Sequence, residues 1–231
     1  MFADIKCVTL DLDNTLWPIE PTINLAEEKL YQWIKLNYPK VTAKYSPAEI
    51  ADKRLALNNK YPEMAHNLTE MRWHALLELA NEFGYAKTLA DEGLALFRQY
   101  RNQVDPYPAS EQALSLLNKH FKVGAITNGN AQLNKIPLGC YFDFVVTAAD
   151  AGACKPDPRL FKRAAEIADV SVNQMVHVGD CAKADVVGAN NAGCLSVWLN
   201  MHRQAWPGGQ TPHAVIHCIS ELPDLLIEHK N

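Results

Sequence analysis

The sequence predicts an α/β protein: a doubly wound parallel sheet, interrupted after its first strand by an inserted helical segment. Three observations lead there. Short apolar, β-branched runs recur through the second half of the chain, each separated from the next by a stretch of helical periodicity. Polar clusters stand just past the ends of four of those runs. Residues 23–104, by contrast, hold only helical patterns. Strands alternating with helices of this length imply crossover connections, a parallel sheet and helices on both faces. A chain of 231 residues is long enough for one such sheet carrying a smaller insert.

The first strand is expected at residues 5–10, Ile-Lys-Cys-Val-Thr-Leu, ending at an acidic cluster. After Trp17-Pro18 the character changes to helix. Helices are expected at about 23–37, 47–58, 68–82 and 88–103. The second is opened by Ser46-Pro47 as cap and first helical residue, and the third stops at Gly84. From Pro106 the alternation begins: helix 109–119, strand 121–126, a short helix near 130–136, strand 143–147 and helix 158–168. Strand 174–178, helix 182–192, strand 194–199, a weak strand 214–219 and helix 221–229 complete the order. The expected division is a core of residues 1–16 and 106–231 with a helical cap at 17–105.

Composition removes several classes of function. Apolar residues make up 48 % and charged residues 21 %, with a net charge of −4, which is ordinary for a soluble protein. There is no basic footprint, so nucleic acid is not an expected partner. No apolar run approaches 18 residues, so no membrane span is expected. The N-terminus lacks the basic and apolar segments of a signal peptide. The six cysteines are scattered, with no Cys-x-x-Cys pair, and read as reduced thiols of a cytoplasmic protein. A monomer or homodimer is expected.

Four polar clusters follow four expected strands: Asp11/Asp13, Thr127/Asn128, Lys155, and Asp180/Asp185. In an open parallel sheet the loops after the strands converge on one edge. That edge would carry several carboxylates, an amine, a hydroxyl and backbone amides, with no His, Ser or Cys set beside a base. Carboxylates so close repel unless a cation joins them, and an oxygen-only ligand set suits Mg²⁺. A carboxylate can attack phosphorus, and an amine and amides can hold phosphoryl oxygens. A second carboxyl two residues on can protonate the leaving oxygen and later deprotonate water. The inventory therefore reads as phosphoryl transfer on a small phosphorylated molecule.

Asp11-Leu12-Asp13-Asn14-Thr15-Leu16, Thr127-Asn128-Gly129, Lys155-Pro156 and Gly179-Asp180 with Asp185 resemble, in order and spacing, the four motifs of the haloacid dehalogenase-like hydrolases. The resemblance implies a Rossmannoid core. It implies Asp11 as nucleophile and Mg²⁺ ligand, and Asp13 as general acid/base with its backbone carbonyl on the metal. Thr127 and the Asn128 amide would bind the phosphoryl group and Lys155 would neutralise it. Asp180 would complete the metal site and Asp185 would orient that shell. The insert resembles the mobile helical cap of one branch. Founding dehalogenases and phosphonatases lack the second acid, so Asp13 favours a phosphatase. A phosphosugar or nucleotide phosphatase, a phosphosugar mutase and a non-catalytic binding module are the alternatives.

A looser similarity narrows the substrate. Residues 126–132, 138–145 and 177–180 are similar to bacterial phosphatases acting on flavin mononucleotide and on the phosphorylated ribitylaminouracil precursor of riboflavin. Specificity should lie in the cap. Trp17, lining the entrance, and Arg72, contacting a substrate anion or ring, are its candidate residues. His177 is expected to be a packed strand residue.

Overall fold

Cys7–Leu10 form the first strand, β1, and every one of its side chains is buried. A strand apolar on both faces belongs in the middle of a sheet covered from both sides. It lies there. The strands β2 (Lys122–Thr127), β3 (Phe144–Thr147), β4 (Met175–Gly179), β5 (Leu195–Leu199) and β6 (Ala214–Ile216) complete a six-stranded sheet of order β3-β2-β1-β4-β5-β6. Every pairing is parallel. Leu10 faces Ala125 on β2 and Val178 on β4, so the residues just past these three strands share one edge. The sheet reverses direction of growth between β1 and β4, and such switch points open a crevice at the carboxyl ends.

The computed structural model describes residues 1–228 and divides into two units. One, holding the sheet, comprises Met1–Pro18, Asp105–Gly129 and the chain from Leu133 on; the other comprises Ile19–Val104 together with Asn130–Gln132.

The second unit is helical: α1 (Ile19–Asn37), α2 (Pro39–Lys44), α3 (Pro47–Lys60), α4 (Leu68–Phe83) and α5 (Thr88–Arg101). Ser46 and Glu49 close a capping box on α3, and Gly84 ends α4 in the left-handed region. Ala26, Leu30, Ile34, Leu76, Leu79, Leu89 and Phe97 form its core, each large apolar side chain contributing about 1.5–3 kcal/mol by burial. The short α2 escapes the periodicity because six residues hold too few apolar positions; only Val41 is buried.

In the sheet unit, α6 (Ser110–Leu117), α7 (Ala148–Ala151), α8 (Pro158–Ala168), α9 (Gly188–Ala192) and α10 (Glu221–Ile227) follow the strands. Leu160, Phe161, Ala164 and Ala168 of α8 join Cys7, Ile126, Val146 and Met175 in one apolar cluster. Helix α6 packs on β2 and on α10. Gly124 is where β2 admits the Phe144 ring: a Cβ there would stand 2.2 Å from it.

Three local expectations need correction. The short helix near 130–136 is instead two 3₁₀ turns, Leu133–Lys135 and Pro137–Tyr141. Residues 130–132 join the helical unit, and Pro137 lacks the N–H that would continue an α-helix. The helix at 182–192 begins as a π-helical turn, Ala182–Val187, before α9. The last strand stops at Ile216. The expected final helix starts at Glu221, and its residue 229 lies outside the described residues.

Candidate active site

Lys155 organises the edge of the sheet. Its ammonium has three protons and three acceptors: Asp11 Oδ1 at 2.7 Å, Asp185 Oδ1 at 2.7 Å and the Ile126 carbonyl at 2.6 Å. The lysine is buried. Burial alone would lower its pKa, but the Asp11 and Asp185 carboxylates outweigh that and raise it, so the site holds a permanent ammonium. Its backbone is fixed as well. The Asn128 side chain accepts from Lys155 N at 2.7 Å and donates to the Lys155 carbonyl at 3.1 Å. The second and third sequence clusters are thus tied together through one amide.

Asp185 is saturated. Beyond Lys155, its Oδ1 faces His177 Nε2 at 3.2 Å and its Oδ2 accepts from Cys181 N at 2.9 Å. Burial would raise its pKa; the Lys155 charge and these bonds drive it below the usual carboxylate range. Gly179 makes room for it, since a Cβ there would stand 2.2 Å from the Asp185 carboxylate. Asp11 moves the other way. Burial, with Asp185 and Asp13 nearby, pushes it up despite Lys155. Asp180 is pushed up to about 6 by burial and by Asp185.

Asp11, Asp180 and Asp185 can each present one oxygen within 4.8 Å of the others. An all-oxygen set in which two of three carboxylates resist ionisation fits a divalent cation. Asp11 and Asp180 would be the ligands, because both Asp185 oxygens are engaged by protein. Thr15 Oγ1 lies 3.4 Å from Asp11 Oδ2 and 3.5 Å from Asp180 Oδ1, spanning the pair.

The raised Asp180 pKa gives a stability prediction. Its folded value of about 6 exceeds its ordinary 3.8. Between those values folding takes up a proton, so metal-free stability falls as pH rises. Above about 6 the folded chain carries the full cost of the charge. Asp180→Asn is expected to stabilise the metal-free protein at pH 7.5 by about 1–2 kcal/mol, allowing for partial solvent access. That is a rise of roughly 2–8 °C in melting temperature, vanishing by pH 4. An equal effect at both pH values would remove the electrostatic explanation.

The remaining predicted residues are placed as follows. Thr127 is buried at the end of β2, its hydroxyl accepting from Gly129 N at 2.9 Å. Asp13 is half-buried and accepts from the Trp17 indole at 2.8 Å. Trp17 has no exposed surface, so it presents no face to a substrate. Arg72 belongs to the helical unit's interior: its terminal nitrogens grip Glu27 at 3.1 and 2.7 Å, and its guanidinium lies 3.4 Å over the Phe97 ring. That geometry gives it a structural partner rather than a substrate.

Sequence reading gives His177 no role beyond packing and does not single out Trp198. His177 is packed as expected, but it also joins Thr9 Oγ1, at 3.0 Å, to Asp185. The Trp198 indole donates to the Asp180 carbonyl at 2.8 Å. The available signal was the pairing of Thr9 with His177 across β1 and β4, two polar residues inside buried strands. A cavity of about 300 Å³ opens beside Asp180, lined by Asn14, Tyr107, Trp198, Asn200 and His202 among others.

The four sequence clusters thus meet as a lysine bridging two buried carboxylates, with a third alongside and another acid two residues past the first. Residues 5–193 match the haloacid dehalogenase-like hydrolases, and the chain belongs to that family. It is 29 % identical over 230 residues to the 5-amino-6-(5-phospho-D-ribitylamino)uracil phosphatase YigB of Escherichia coli (strain K12), covering 96 % of each chain. It is 28 % identical to the phosphoglycolate phosphatase of Neisseria meningitidis, covering 98 % of this chain and 96 % of the relative. A crystal structure described as a 2-haloacid dehalogenase from Pseudomonas syringae pv. Tomato DC3000 superposes with a TM-score of 0.92 at 36 % identity, covering 97 % of this chain and 99 % of that one. The chain is a family hydrolase that shares the phosphatase class with these curated relatives. Among the described residues no helix is long and apolar enough to cross a membrane.

Proposed function

We propose that the chain is a Mg²⁺-dependent phosphomonoesterase working through an aspartyl-phosphate on Asp11. The observation that carries this reading is Lys155, bonded at once to Asp11 and Asp185, with Asp13 two residues beyond the nucleophile. An Asp11 oxygen attacks phosphorus while the bond from phosphorus to the ester oxygen breaks, and Asp13 delivers its proton to that oxygen. Asp13, now a carboxylate, takes a proton from water as the water attacks phosphorus and the bond to Asp11 breaks, releasing inorganic phosphate. The Thr127 hydroxyl, the Asn128 amide and Lys155 hold the phosphoryl oxygens throughout. Mg²⁺ held by Asp11 and Asp180, with the Asp13 carbonyl, would add positive charge against those oxygens. The helical unit serves as a cap that selects the leaving group.

The dehalogenase name of one structural relative favours a second reaction on this scaffold. Asp13 argues against it. A departing halide needs no proton, whereas an alkoxide leaving phosphorus does. The proposed substrate is flavin mononucleotide or the phosphorylated ribitylaminouracil precursor of riboflavin; the end-to-end similarity to the Escherichia coli phosphatase supports the second of these.

A phosphate-release panel with Mg²⁺ tests both levels. These two substrates should exceed sugar phosphates and phosphoglycolate in kcat/KM by about tenfold or more. Sugar phosphates outrunning both would overturn the substrate. Halide release from 2-chloropropionate without phosphatase activity would overturn the reaction. Mg²⁺ should also raise the melting temperature of the parent and not of Asp180→Asn.

A further inference from the structure

Behind Lys155 the sheet carries a second polar layer. Thr9 on β1 and His177 on β4 are register partners, and both are buried. His177 Nδ1 lies 3.0 Å from Thr9 Oγ1, and its Nε2 lies 3.2 Å from Asp185 Oδ1. The Phe161 ring meets the imidazole edge to face, with centroids 5.1 Å apart. Three neighbours therefore hold the ring. Asp185 also accepts from Lys155 on Oδ1 and from the Cys181 amide on Oδ2. A continuous chain of contacts thus runs from Thr9 to the ammonium beside Asp11.

The hydrogen positions follow from what each group can do. A carboxylate only accepts. A bare Nε2 would set one lone pair against another in a buried place and leave both uncompensated. Nε2 therefore carries hydrogen. Thr9 suits that arrangement whatever the charge of the ring. Facing a bare Nδ1, its hydroxyl donates to the ring; facing an Nδ1–H, it accepts and turns its own proton to the Val176 carbonyl at 3.3 Å. We infer that His177 is a positioning residue: its Nε2–H pins Asp185 Oδ1 and so aims the Lys155 ammonium at Asp11. The inference rests on the role proposed above for Lys155 and Asp11. A lysine stem is flexible and sets no direction of its own. Its direction comes from its acceptors, and Asp185 is the one that can turn. With Oδ1 held from two sides and Oδ2 from a third, that carboxylate cannot rotate. Take away the imidazole and Oδ1 keeps only the lysine, so the two can shift together away from Asp11.

The test has a spectroscopic arm and a kinetic arm. In the nuclear magnetic resonance spectrum of the whole protein with isotope-labelled histidine, the His177 ring nitrogens are assigned by correlation to their own backbone. Nε2 should be protonated, and a bare Nε2 would overturn the inference. For the kinetic arm, each side-chain amide copies one ring nitrogen. That of glutamine reaches the place of Nε2 and keeps a donor for Asp185. That of asparagine reaches only the place of Nδ1 and keeps the bond to Thr9. With p-nitrophenyl phosphate and Mg²⁺, His177→Gln should retain kcat within about threefold, whereas His177→Asn should lose about tenfold or more. Equal losses in the two variants, or parent-like kcat in His177→Asn, would make His177 structural only and overturn the inference. Should neither variant fold, Asp185→Asn supplies the second readout. The His177 Nε2–H resonance should move there, and an unmoved resonance would overturn the inference. Absence of turnover in the unsubstituted enzyme would overturn the phosphatase reading itself. The spectroscopic arm needs no turnover, so the two failures are distinct.

Discussion

Asp11→Asn is expected to reduce phosphate release by at least about a thousandfold while leaving the fold intact. An amide oxygen can still accept from Lys155, which also keeps Asp185 and the Ile126 carbonyl. Burial and neighbouring carboxylates make the Asp11 charge costly, so its removal should leave the melting temperature unchanged or raise it. The loss must appear as kcat, since an amide cannot form the acyl phosphate. Trapping with a labelled phosphate ester should mark the parent and not the variant. Comparable turnover in Asp11→Asn would transfer the nucleophile's role elsewhere.

Lys155→Met is expected to damage stability as well as activity. It leaves Asp11 and Asp185 buried without their cation, and breaking a buried pair in this way costs about 3–5 kcal/mol. For a chain of this size that is a fall of roughly 6–20 °C in melting temperature. The pH dependence has a defined sign. Asp185 is held below its ordinary pKa, so its contribution is present above the unfolded value and is lost as pH falls. The deficit of Lys155→Met should therefore be largest near pH 7.5 and shrink toward pH 4, where protonation removes the unpaired charges. A deficit independent of pH would mean that the lysine stem, rather than its charge, supports the site.

Why Asp11, Lys155 and Asp180 could be read in advance, and Trp17 could not, is a matter of range. The first three follow apolar strands, and parallel topology alone places strand ends together. Strand positions were recovered to within a residue or two at most ends because burial on both faces leaves an uninterrupted apolar run, as at Cys7–Leu10. The indole bond depends on a loop conformation at Asn14 that carries no periodic signal. Arg72 illustrates the opposite limit. Its partner Glu27 lies on another helix 45 residues away, and an arginine seen only with its sequence neighbours cannot be told from a free one. The π-helical turn holding Asp185 was read as ordinary helix, since both present apolar residues at nearly the same spacing. The capture of Asn130–Gln132 by the helical unit was hidden for a related reason. It relies on Asn102 and Arg101, which bond Gln132 and Asn130, and side-chain amides leave no pattern in a sequence.

The strand order has a bearing on how the protein is made. β1 emerges first, yet its neighbours are paired through Val8 with Val123 on one side and Val176 on the other. During synthesis the first strand must wait for more than half the chain before it can acquire either partner, and longer still for the second. A nascent chain released between those two events would expose β1 as a bare edge, ready to pair with another molecule. It would also lack Asp180 and Asp185 altogether. A ribosome that stops before β4 therefore yields an aggregation-prone fragment without two of the three clustered carboxylates.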